Sequence, residues 1–287
     1  MMTRRPRTAV RQLLERISPA TLARYRAFRH RRMLRRVYPE PHDSTLAGDD
    51  VDSRTQAFEH AYRTGVWTST GESVSGEGSS LAYTDELRRA LPDALRGLGV
   101  RTLLDVPCGD WNWMSHVDLP VERYIGGDLL PAIVESNTAR FGNARDEFRV
   151  IDLCVDALPA ADLLLCRDAL VHFSYTDIWR AISNILQADI TYLATTTFHT
   201  TKKNTDLVTG IHWRYLNLEA APFSFPPPLL SLREGSIERR LSVWRVGDLR
   251  ASGLADEGAR ARENVALQIA ADLPPQRRDQ RIPQDPE

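Results

Sequence analysis

Thr102-Leu103-Leu104-Asp105-Val106-Pro107-Cys108-Gly109-Asp110 is the stretch whose reading decides the fold. A short apolar run meets an acid and then breaks at a proline and a glycine. The run is too short for a helix and reads as a buried strand, with a turn after it. Outward from it the pattern repeats. Tyr124–Asp128, Phe148–Asp152, Asp162–Cys166 and Ile190–Thr197 read as four more strands. Pro131 sits near the start of a helix running to about Phe141. Tyr175 to Leu186 carries Ile178, Ala181, Ile182 and Ile185 on one helical face. Strands alternating with helices predict a parallel sheet covered on both faces. After Pro226-Pro227-Pro228, the runs Leu229–Leu232 and Leu241–Val246 flank charged turn residues and predict an antiparallel hairpin. The expectation is an α/β fold with a mostly parallel seven-stranded sheet.

Upstream, Thr84 starts a helix through Leu87, Leu91 and Leu95, with Pro92 expected to interrupt it and Gly97 and Gly99 to end it. Ser73–Ser80 is a glycine and serine loop. A helix is expected over Arg54–Tyr62, after a polar and acidic linker from Pro39 to Asp52. Val10, Leu13, Leu14 and Ile17, then Leu22, Tyr25 and Phe28, recur at helical spacing with arginines between them, a broken basic amphipathic helix. The division expected is a basic N-terminal arm over 1–45, a catalytic-type domain over 53–250, and a C-terminal helix and frayed tail over 251–287.

The chain has 287 residues, 42% hydrophobic and 26% charged, which excludes a wholly disordered protein. No apolar run is long enough to cross a bilayer. No apolar stretch follows the first arginines, so no secretory signal is expected, and the expected setting is cytoplasmic. Cys108, Cys154 and Cys166 are odd in number, form no CxxC pair and read as buried thiols. The net charge of −1 hides an asymmetry. Residues 1–42 hold twelve arginines against Glu15 and Glu40, leaving 25 basic against 36 acidic residues in the rest. The arm suits peripheral contact with an anionic membrane at its inner face, nucleic acid, or the acidic body itself.

The acids follow the strands in order: Asp105 and Asp110 after the first, then Asp128, Asp152 and Asp168. Ligands of an open parallel sheet bind at the carboxyl ends of its strands. Clustered carboxylates repel one another unless something uses them. A cationic, hydroxyl-rich ligand without phosphate relieves that repulsion, and S-adenosylmethionine fits the description. A dinucleotide fits less well, because its pyrophosphate needs a GxGxxG turn. Here the turn has one glycine and ends in Asp110.

Leu103–Met114 also resembles the first motif of class I S-adenosylmethionine-dependent methyltransferases, in the D-x-P-C-G-D-x-x-W-M form of a bacterial group. Tyr124–Asp128, Asp162–His172, Ser75–Ser79, Trp213–Leu218 and Ala221-Pro222-Phe223 are similar to that group as well, so the likeness covers roughly residues 70–248. It implies a Rossmann-like fold and S-adenosylmethionine as cofactor. It further implies that Asp105 and Gly109 approach the methionine end, that Cys108 and Asp110 of the same turn belong to the cofactor site, and that Asp128 holds the ribose hydroxyls. Asp152 and the backbone of Leu153 would meet the adenine, and Asp168 would lie beside the transferable methyl. Such a reaction on oxygen needs a base within reach of the acceptor. His172, expected on the helix after the fourth strand, is the first candidate and Asp168 the second. Trp213, Arg214 and Asn217 are the expected acceptor contacts, in a polar and aromatic segment suited to a small or glycan-like molecule.

Other classes fit poorly. The N/D-P-P-Y pattern of base methylation is missing after the fourth strand, where Cys166-Arg167-Asp168-Ala169 stands. The acidic body repels a phosphate backbone, so no nucleic-acid substrate is expected. His172, His199 and His212 match no familiar metal spacing, so no metal is expected. A cofactor-binding protein without turnover, recruiting partners through the arm, is the alternative from another class.

Overall fold

The computed structural model describes residues 51–68 and 71–254. The expected arm over 1–45 and the tail beyond 254 lie outside the described residues. Helix α1 (Val51–Thr64) and a short 3-10 turn (Glu77–Ser79) lead into α2 (Leu81–Leu98). Then come β1 (Thr102–Asp105), β2 (Arg123–Asp128), α3 (Pro131–Phe141), β3 (Asp146–Val150) and β4 (Ala161–Cys166). After them follow α4 (Tyr175–Gln187), β5 (Ile190–Phe198), β6 (Leu230–Glu234), β7 (Ser236–Arg245) and α5 (Val246–Ala251).

One sheet holds all seven strands in the order β3-β2-β1-β4-β5-β7-β6. β1 to β5 pair in parallel, while β7 lies antiparallel between β5 and β6. The expected sheet and closing hairpin are therefore present. Chain order reverses between β1 and β4, and a switch point opens there.

Alternation along the strands explains why both faces are covered. Leu103, Leu163 and Leu165 join Leu87, Leu91, Leu95 and Val134 on one face. Leu104, Leu164 and Cys166 join Ile178, Ile182, Ile185, Val246 and Leu249 on the other. Successive side chains point to opposite faces, so each apolar run feeds two cores.

Three local expectations need correction. Pro92 does not interrupt its helix; α2 runs unbroken through it. Proline removes one i→i−4 hydrogen bond, but Leu87, Leu91 and Leu95 are all buried around it and hold the helix to the sheet. Ser80 caps the start by accepting from the Tyr83 N–H. β3 begins at Asp146 and ends at Val150, so Asp152 stands beyond the strand. His172 is not on a helix: it ends a 3-10 turn over Leu170–His172, and α4 begins only after the Ser174 cap.

Candidate functional site

Asp105 ends β1 and Asp128 ends β2, side by side at the carboxyl edge and both buried. The Tyr124 hydroxyl donates to Asp105 Oδ2 at 2.7 Å. Gly109 N–H donates to Asp128 Oδ2 at 3.1 Å and Leu130 N–H to Oδ1 at 3.0 Å. Burial pushes the Asp105 carboxyl up to about 7, against the pull of the Tyr124 hydroxyl and Arg167. Burial lifts Asp128 to about 6, against the same pull from its main-chain donors. Neither acid forms an ion pair with a described residue. Two buried carboxylates without a cation are costly to ionise, and a cationic ligand offsets that cost.

The turn between them is shaped for close approach. Gly109 has φ +56°, and a Cβ there would stand 2.5 Å from Ser75 Oγ. The preceding thiol, Cys108, is buried, and burial raises its pKa well above the usual range, so it is no nucleophile. Asp110 turns away from the edge: Ser73 Oγ donates to Oδ1 at 3.0 Å and Val74 N–H to Oδ2 at 2.8 Å. Its own N–H donates to Ser75 Oγ at 2.9 Å. Asp110 thus ties the glycine and serine loop across the end of β1. Trp111 packs among Tyr124, Phe141 and Phe148, with centroids 4.8–5.4 Å away, and belongs to the core.

Asp152 and its neighbour Leu153 are buried, but the Asp152 carboxylate is committed elsewhere. Arg54 Nη2 lies 2.7 Å from its Oδ2, and Arg54 Nη1 lies 2.9 Å from Asp177 Oδ1. Thr209 Oγ1 also donates to Asp177, at 2.6 Å. The main-chain carbonyl of Leu153 accepts from Asn184 Nδ2 at 2.9 Å. This network binds α1 to the loop after β3 and to the start of α4.

At the end of β4, Asp168 has φ +58°, a backbone state that aspartate tolerates better than most residues and that often marks functional positions. Arg239 Nη2 lies 3.0 Å from its Oδ2. Burial pushes the carboxyl up, but Arg239, Arg167 and His172 outweigh it and hold it below the ordinary value. An acid held that low is a poor base at neutral pH. Glu234, fully buried on β6, lies 2.6 Å from Arg167 Nε and 2.7 Å from Arg239 Nη2. Arg167 Nη2 donates to the Gly78 carbonyl at 2.5 Å, which holds the loop over the end of β4. A Cβ at Gly78 would meet Asp168 Oδ2 at 2.6 Å.

His172 faces this group. Its Nδ1 lies 2.8 Å from the His212 carbonyl oxygen. A carbonyl only accepts, so Nδ1 carries the proton and Nε2 keeps its lone pair. Burial pushes the imidazole pKa below the ordinary value, with Asp168 opposing, so it is neutral at pH 7. Trp67 packs on it, with centroids 5.1 Å apart.

The segment between β5 and β6 divides the three expected acceptor residues. Asn217 is a brace: its N–H donates to Asn204 Oδ1 at 2.8 Å and its Nδ2 to the Thr201 carbonyl at 2.9 Å. Its Oδ1 accepts from Glu219 N–H. Trp213 is half-buried against Phe198 and Tyr215. Arg214 is buried beside Val171 and Tyr175.

Sequence reasoning did not single out Arg54, Tyr62, Glu234 or Arg239. Tyr62 on α1 shares a 3.0 Å hydrogen bond with Ser75 Oγ beside Gly109. Its phenol pKa is raised well above the usual value by burial and by Asp128. Arg54 meets Asp152 and Asp177, 98 and 123 residues on, so spacing gives no signal there. Glu234 and Arg239 pair with each other five residues apart across the hairpin, but their contacts with Arg167 and Asp168 reach back to the end of β4.

No protein-family model matches this chain, and no curated protein does. Among solved structures it is similar to human N-acetylserotonin methyltransferase in complex with SAM, at 12% identity over 68% of this chain and 56% of that one, with a TM-score of 0.43. A protein from Pyrococcus horikoshii OT3 matches at 14% identity over 66% of this chain and 99% of the other, with a TM-score of 0.47. The methyltransferase domain of bacterial CtHen1 matches at 12% identity over 40% of this chain, with a TM-score of 0.36. This chain spans 66% of that domain's length. The fold is Rossmann-like. Methyltransferases are among the structures similar to it, and its strand order rests on its own pairing.

Proposed function

We propose that this protein is an S-adenosylmethionine-dependent methyltransferase of the bacterial D-x-P-C-G-D-x-x-W-M group, acting on oxygen of a small or glycan-like acceptor. The observation that carries the reading is the pair of buried carboxylates, Asp105 and Asp128, which end neighbouring strands beside a one-glycine turn and form no ion pair with a described residue. Residues present fit the cofactor. Asp128 offers acceptor oxygens to a ribose diol, and Asp105 an anion to an ammonium. Gly109 lets the Ser75 loop close against the turn, and the turn carries no GxGxxG phosphate cradle.

S-adenosylmethionine, when bound, supplies an electrophilic methyl on a sulfonium. The chain's own part is to place an acceptor hydroxyl in line and to remove its proton. His172 Nε2 takes that proton, since Nδ1 is held by the His212 carbonyl. His172 carrying that proton would be an imidazolium beside Asp168, whose carboxylate would stabilise it. Asp168, fixed by Arg239, is the electrostatic partner rather than the base.

Calorimetry tests the reading. S-adenosylmethionine or S-adenosylhomocysteine is expected to bind and NADH is not. Tight NADH binding without adenosylmethionine binding overturns it. Incubation with labelled cofactor and a cell extract then identifies the acceptor.

A further inference from the structure

Four arginines are buried among the described residues: Arg54, Arg167, Arg214 and Arg239. Three of them are held by carboxylates. Arg54 has Asp152 and Asp177, Arg167 has Glu234, and Arg239 has Glu234 and Asp168. Arg214 differs. It is 7% exposed and has no ion pair with a described residue. Its Nη1 donates to the Val171 carbonyl at 3.2 Å, and its Nε and Nη2 have no hydrogen-bond partner, whereas in the other three only Nε lacks one. The nearby acid, Asp206, spends Oδ1 on the N–H groups of Tyr175 and Leu207, each at 2.8 Å.

The two idle atoms define one side of the guanidinium. Nε and Nη2 form the edge whose parallel N–H groups match the two oxygens of a carboxylate or phosphate. A buried charge with that edge unfilled is expensive to keep unless a ligand uses it. Its surroundings point the same way. The Arg214 N–H donates to the Val171 carbonyl at 3.1 Å, next to His172. The His212 carbonyl, two residues before Arg214, orients the imidazole. The Tyr175 ring lies 5.5 Å from the guanidinium carbon and fixes its plane. Burial also lowers the Arg214 pKa to about 10, which still leaves it charged at neutral pH.

We infer that Arg214 anchors an oxyanion group, carboxylate or phosphate, carried by the acceptor. The inference rests on the methyltransferase reading for the word acceptor and makes that reading narrower. A neutral hydroxylated molecule would leave the guanidinium edge empty. An acid sugar or a sugar phosphate fills it and presents a hydroxyl to His172.

The test uses the full chain at fixed ionic strength, with and without S-adenosylhomocysteine. The probes are inorganic phosphate, glucose 6-phosphate and glucuronate, with glucose as the neutral control. Melting temperature and calorimetric affinity are read for wild type, Arg214→Met and Arg214→Lys. Wild type is expected to bind a phosphate or carboxylate probe and not glucose, and the probe that binds distinguishes the two sources. Arg214→Met is expected to lose that binding at least tenfold, to keep its affinity for S-adenosylhomocysteine, and to melt no lower than wild type. Arg214→Lys keeps the charge but not the paired edge, so it is expected to weaken binding roughly tenfold, and it serves if the methionine variant does not fold. Anion binding that vanishes with Arg214 in a protein that ignores S-adenosylhomocysteine upholds the anchor and sinks the methyltransferase reading. Wild type that binds S-adenosylhomocysteine and none of the anions overturns the anchor, as does anion binding unchanged by either substitution.

Discussion

At the scale of residues, the site is governed by which charges are paired. Asp105 and Asp128 titrate near 7 and 6 because burial disfavours their charged forms. Raised acids lose stability as pH climbs. From about 4, where the unfolded chain ionises, to about 7, the ligand-free fold is penalised for holding their protons. An ammonium beside Asp105 reverses this by favouring the carboxylate. S-adenosylhomocysteine binding is therefore expected to strengthen as pH rises through 6 to 7, by up to about tenfold per unit for one proton released. Calorimetry in buffers of differing ionisation enthalpy reads the proton directly, and a flat profile would refute the assignment. Asp128→Asn is expected to weaken cofactor binding by about 1.5–3 kcal/mol, the usual worth of a charged hydrogen bond. His172→Ala is expected to spare that affinity while turnover falls by roughly 10²–10⁴. Equal loss of cofactor affinity in both variants would make His172 structural.

Among elements, α1 is the one whose role was least visible. Its sequence reads as a modest helix, yet Arg54 buries a charge between Asp152 and Asp177 and so fastens the helix to the loop after β3 and to α4. Tyr62, two turns further on, then reaches Ser75 over Gly109. Breaking one partner of a buried pair leaves the others uncompensated. Arg54→Ala is expected to destabilise the domain by about 3–5 kcal/mol, read by urea unfolding. Arg54→Lys keeps a charge but loses the fork, and an intermediate value is expected. A cost below 1 kcal/mol, roughly that of an exposed pair, would show that α1 is not fastened this way.

Over the whole molecule, the charge is divided between a basic first stretch and an acidic remainder. Residues 1–42 carry +10 and the rest −11. No described helix is long and apolar enough to cross a membrane. Removal of residues 1–42 is expected to leave a folded domain that binds S-adenosylhomocysteine as before, while association with vesicles of anionic lipid weakens and becomes insensitive to salt. Sedimentation with vesicles measures this. Loss of cofactor binding on truncation would place the first stretch in the site, and unchanged vesicle association would remove the membrane role.

The order of strands and helices along the chain and the acids that follow the strands were legible in the sequence, because they follow from local periodicity. An apolar run of four to six residues next to a glycine turn has few other solutions in this architecture. Pro92 misled for the same reason: local propensity argues for a break, and burial of Leu87, Leu91 and Leu95 overrides it. The strand-end acids looked alike in the sequence, and only the tertiary structure separated them. Asp105 and Asp128 form no ion pair with a described residue, Asp152 is taken by Arg54, and Asp168 is taken by Arg239. Likewise His172 became a base with a defined tautomer only when the His212 carbonyl met it, 40 residues on. Long-range pairing decides which charges are neutralised, and spacing along the chain carries no record of it.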